Sequence, residues 1–91
     1  MNIHFHGCEF DPKIEDVRSA LDGGETKTYE FQVADDHPPG FNWYHNHVKG
    51  TAGFSALSGL NGIIIIEDTG SDITEIPEIA EATELLLLLA E

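Results

Sequence analysis

Three stretches of the chain place apolar or aromatic residues at every second position, and these set the expected elements. NIHFHG (residues 2–7) reads as a strand that ends at Gly7. TKTYEFQV (residues 26–33) puts Tyr29, Phe31 and Val33 on one face and Thr28, Glu30 and Gln32 on the other, the period-two pattern of a half-buried strand. FNWYHNHV (residues 41–48) reads as a further strand, rich in aromatics. Ile63–Ile66 is β-branched and apolar on both faces, which predicts a fully buried strand.

The segments between them carry turn chemistry. Residues 8–24 predict a loop with at most a short element around Ile14–Leu21, closing on Asp22-Gly23-Gly24, where glycine supplies the positive φ of a tight turn. DDHPPG (35–40) is a second turn whose consecutive prolines cannot donate to a ladder. KGTAGFSALSGLNG (49–62) suits a tight turn or a single helical turn, and EDTGSD (67–72) a polar turn. The tail from Ile73 has two readings: a short helix from Pro77 through Ala82 followed by a leucine-rich strand, or one continuous helix. The fold class expected is mainly β, in a single domain.

Composition narrows the partners more than the fold. The 91 residues bury about 60–65% of the unfolded chain's surface, a marginal core. A hydrophobic fraction of 41% and a charged fraction of 23% are those of a globular chain. Seventeen acids against four bases give a formal net charge of −13, which repels nucleic acid and anionic membrane surfaces. Leu85–Leu89 falls far short of the roughly 20 apolar residues that span a bilayer. The single cysteine, Cys8, permits no internal disulfide, and MNIHFHGCEF has neither the basic start nor the apolar run of an export signal.

Histidine usage carries the chemistry. Four of the five histidines fall in two H-x-H pairs, His4/His6 and His45/His47, each inside a strand-like run. Alternate strand residues share a face about 6.5–7 Å apart, so each pair projects together, a spacing that suits two neighbouring ions better than one. Two such strands side by side bring four imidazoles into one cluster, and neutral imidazole ligates copper, zinc, iron or nickel. Cys8 continues the alternation, but three alternate positions span about 13 Å, too far to chelate one ion without a bend at Gly7, so Cys8 is expected to be a small buried or loop residue. His37 is expected to be a solvated turn residue. Trp43 and Phe41 share the histidine face if the strand is regular, as core packing or as a water shield.

NIHFHG resembles the first copper-binding motif of the multicopper oxidases, the laccase-like family, and HPPGFNWYHNHVKGTAGFSALSGLNGIIIIED resembles the second motif and the strand after it. The tail EIPEIAEATELLLLLAE is similar to the end of the family's first domain. The resemblance implies an incomplete cupredoxin-like Greek-key β-sandwich over residues 1–91, with the domain's N-terminal strands missing. It implies copper at a trinuclear cluster: His4 on the type 2 ion, His6 and His45 on one type 3 ion, and His47 on the other. One departure is Ser55, where related sequences often carry a glutamine.

The family's remaining cluster ligands, in H-x-x-H-x-H and H-C-H motifs, and the type 1 copper site that takes up substrate electrons do not occur in this sequence. The expectation is therefore a truncated, split or decayed piece of an oxidase, inactive alone. It would need the missing cupredoxin domain or domains in cis or in trans, with dioxygen and a small reducing substrate as the complete enzyme's reactants. A stand-alone module that sequesters copper and a zinc site are the alternatives. Relatives are usually extracellular or periplasmic, and any leader would lie upstream.

Overall fold

A computed structural model describes residues 1–67, 70 and 73–89. Its described elements are β1 (His4–His6), α1 (Pro12–Glu15), β2 (Gly40–His45), α2 (Ala52–Leu57), β3 (Asn61–Ile66), a 3-10 turn (Ile73–Glu75) and α3 (Pro77–Ala80). The strands form one antiparallel sheet in the order β1-β2-β3. The fold is mainly β, as the alternation predicts, and the described residues supply a single sheet. No helix among them is long and apolar enough to cross a membrane.

Register decides what each face carries. His4 pairs with His45, Phe5 with Tyr44 and His6 with Trp43, so both histidines of β1 share a face with His45 and Trp43. The opposite face carries Phe5, the one buried large apolar residue among those described. Its ring meets Phe31 at 4.9 Å and Phe10 at 5.3 Å, and Phe10 stacks on Phe31 at 3.9 Å. That aromatic cluster is the core, and it backs the histidine face across the thickness of one sheet.

Two glycines are required by close approach. Gly7 turns the chain out of β1 at φ +90°, and any Cβ there would run into the Asn42 side chain. Gly62 pairs with Tyr44, and a Cβ would occupy the space of the phenol ring. The short helix α1 begins at Asp11, whose carboxylate accepts the Lys13 amide, with Pro12 just inside. It stops at Asp16, whose φ of +42° is left-handed. This is the short element expected between Ile14 and Leu21, displaced toward the N-terminus by its cap.

Several expectations are corrected. Residues 26–33 form neither strand nor helix. Tyr29 and Phe31 are half-buried while Thr28, Glu30 and Gln32 are exposed, so the alternation reports docking of side chains onto Phe5, and Val33 falls outside that contact. Ile63–Ile66 is a strand, but half-buried, with Ile65 exposed, since it borders an open cavity lined by Ile73, Ile79 and Leu86 rather than a closely packed layer. The tail is neither a leucine strand nor one helix. Helix α3 ends at Ala80, and Leu85–Leu89 is irregular and exposed, Leu89 at 92%. The EDTGSD turn lies largely outside the described residues.

Candidate metal centre

The ladder between β1 and β2 assembles the histidines. Ring centroids lie 5.5 Å apart for His4 and His6, 5.3 Å for His4 and His45, and 5.7 Å for His6 and His45. His47 follows the end of β2, yet its ring comes within 4.9 Å of His4 and 5.8 Å of His45. The fold thus brings all four predicted residues together. Ligand atoms of His4, His6 and His45 lie within 4.8 Å of one another, while His47 stands outside that closest group.

Hydrogen bonds decide which ring nitrogens face the cluster. His4 Nδ1 lies 2.8 Å from Glu15 Oε1, which also accepts the Phe5 amide at 2.5 Å. A carboxylate accepts, so His4 donates from Nδ1 and leaves Nε2 as its free lone pair. His45 does the same with a backbone acceptor, donating from Nδ1 to the Asn46 carbonyl at 2.9 Å. Its Nε2 is buried and has no hydrogen-bond partner. A buried lone pair without a donor is costly, and a metal ion would satisfy it, so the residues present fit a metal.

Trp43 supplies one wall. Its ring stacks on His45 at 4.2 Å and 22° and on His6 at 5.1 Å and 24°, in line with its expected place on the histidine face. Phe41 shares that face but stands exposed toward the far end of the sheet.

Beyond β2 the backbone is held by side chains. Asn46 is 3% exposed. Its Oδ1 accepts the amides of Asn2 at 3.0 Å and Val48 at 3.2 Å, and its Nδ2 donates to Thr51 Oγ1 at 3.1 Å and Ser55 Oγ at 2.8 Å. Ser55 is buried and donates onward to the Thr51 carbonyl at 2.9 Å, so a short hydroxyl closes this network.

Two residues outside the cluster differ in fate. Cys8 is a half-buried loop residue, as expected; burial pushes its thiol up from the ordinary value, and the charge of Glu15 adds to the effect. His37 is not solvated: it is 6% exposed, accepts the Glu9 amide on Nε2 at 2.9 Å and donates from Nδ1 to the Pro38 carbonyl at 2.8 Å. Its ring is a clasp between the loop after β1 and the Pro38-Pro39 turn, which a hydrated imidazole could not provide.

Sequence reasoning missed Glu15, Asn2 and Asn46. Nothing marks Glu15 among seventeen acids. Asn46 does carry a signal, since alternation places it on the core face between two histidines, where an amide needs partners.

Comparison with known proteins places most of the chain in one family. Residues 1–71 match the family model described as multicopper oxidase. The chain is 33% identical over 67 residues to multicopper oxidase mco of Staphylococcus aureus, a stretch covering 72% of this chain and 14% of that protein. It is also 33% identical over 68 residues to multicopper oxidase mco of Staphylococcus epidermidis, covering 74% of this chain and 15% of the relative. The chain thus spans only a small part of the curated relatives it matches. No solved structure matches it.

Proposed function

The chain belongs to the multicopper oxidase family, and from that premise we propose that His4, His6, His45 and His47 supply half of the ligands of a trinuclear copper cluster. Its fold is mainly β, a partial cupredoxin-like domain, and the family's cofactor is copper. On this reading residues 1–91 belong to one such domain, the family's first. His4 serves the type 2 ion, His6 and His45 one type 3 ion, and His47 the other. The observation that carries the reading is the buried, unpartnered Nε2 of His45 beside the His4 and His6 rings.

Copper bound there would supply one-electron redox chemistry, coupling oxidation of a small reducing substrate to reduction of dioxygen to water in the complete enzyme. This chain's residues hold and orient. Glu15 and the Asn46 carbonyl each fix a proton on Nδ1, so that His4 and His45 present Nε2. Trp43 keeps the His6 and His45 rings in place and shields one side from water. The remaining ligands and the electron-uptake site must come from further cupredoxin domains, in cis or in trans, so the 91 residues alone do not turn over.

Copper titration followed by dialysis tests the assignment. Wild type retains copper, and the double variant His45→Ala/His47→Ala loses most of it. An unchanged copper content in the double variant overturns the assignment.

A further inference from the structure

The four histidines divide by how they are held. His4, His6 and His45 stand in paired strands, whereas His47 lies two residues past the last β1–β2 pair. If the register continued, His47 would stand opposite Asn2, and each backbone amide would seek the other strand's carbonyl. That exchange is replaced by two side-chain amides. The Asn2 amide donates to Asn46 Oδ1 at 3.0 Å, and the His47 amide donates to Asn2 Oδ1 at 2.8 Å.

Both side chains are themselves anchored. Asn2 Nδ2 donates to the Val17 carbonyl at 2.7 Å and to the Ser19 carbonyl at 3.2 Å, tying the rung to the segment that follows α1. Asn46 is fixed by Thr51 and Ser55 at the start and on the inner face of α2. A side chain that stands in for a carbonyl spaces the two backbones more widely than a ladder bond does. The chain can then leave the sheet at His47 while its ring still reaches His4.

We propose that Asn2 and Asn46 are positioning residues for His47: their side-chain amides form a substitute rung that aims the fourth imidazole at the cluster. The inference rests on the four-histidine reading above and goes beyond it by naming what holds the histidine that the sheet does not.

The full 91-residue chain tests this with two readouts, amide exchange without metal and titration with copper(II) alone. In wild type the His47 amide is protected. In Asn2→Ala it exchanges about tenfold faster, the equivalent of one hydrogen bond, while Trp43 and Tyr44 keep their protection. Copper affinity falls about ten- to a hundredfold in Asn2→Ala, the usual cost of removing a partner that orients a ligand. In a His47→Ala background the same substitution changes affinity no further, because the residue it acts through is gone. Asn46→Asp, which keeps an oxygen for the Asn2 amide and can accept from the Thr51 and Ser55 hydroxyls, keeps the His47 amide protected and serves if the alanine variant misfolds.

A His47 amide as exposed in wild type as that of Lys49 overturns the rung. Equal loss of affinity in both backgrounds overturns positioning and leaves a structural role. A wild-type chain that takes up no copper overturns the four-histidine reading and the metal half of this inference with it, while the exchange result still decides the rung.

Discussion

Two imidazoles in the cluster, those of His4 and His45, answer to a particular acceptor, and the acceptors differ in kind. His4 has a carboxylate behind it, His45 a backbone carbonyl. A carboxylate makes its histidine a more basic ligand than a carbonyl does, so Glu15 does more than fix the tautomer. Replacing Glu15 with glutamine keeps an oxygen near Nδ1 and removes the charge, and copper affinity should drop about tenfold. Competition titration against a chelator measures this, and an unchanged affinity would show that Glu15 serves the β1 backbone through the Phe5 amide alone. The four clustered histidines were legible in the sequence because alternation puts both members of an H-x-H pair on one face, which the ladder realises for His4, His6 and His45, while His47 is held past the strand end by Asn2. Glu15 was not, since it reaches His4 across 11 residues through the cap and turn of α1, which no period announces. His37 was misread for a related reason. A histidine among prolines and acids looks solvated until the amide of Glu9, 28 residues away, is brought to its Nε2.

At the scale of elements, β1 and β2 form where the alternation predicts them, except that β2 stops at His45 and leaves His47 outside the expected 41–48 strand, and the elements that depend on neighbours do not form. β1 and β2 pair with each other, and β2 with β3, so His4, His6 and His45 are placed by contacts made within the described residues. Residues 26–33 have the composition and alternation of a strand but form neither strand nor helix, and they dock by aromatic contact. Leu85–Leu89 shows the same limit more strongly: five leucines specify burial without specifying against what, and here they stay exposed. The metal site should therefore be indifferent to them. A chain ending at Glu84 should keep the thermal midpoint and copper content of the full chain while scattering less light on standing, since an exposed apolar segment favours association. A lower midpoint or lost copper would show that the leucines pack on the sheet after all.

The whole molecule is more open than its length requires. Its radius of gyration is 15.6 Å, where a compact 91-residue domain has about 12 Å. Its accessible surface is 7172 Å², against about 5,200 Å² for a compact monomer of 10.0 kDa. The difference, about 2,000 Å², exceeds the roughly 800 Å² that each partner contributes to a standard protein–protein interface. That supports the proposal that further cupredoxin structure covers this sheet when the cluster is complete. The donor set itself, however, belongs to this chain, and one measurement addresses it most directly. X-ray absorption at the copper edge of the copper-loaded chain should show a nitrogen or oxygen shell with the multiple scattering of imidazole and no sulfur, because Cys8 lies outside the histidine group. A copper–sulfur distance in the first shell, or a shell without imidazole scattering, would contradict the four-histidine site.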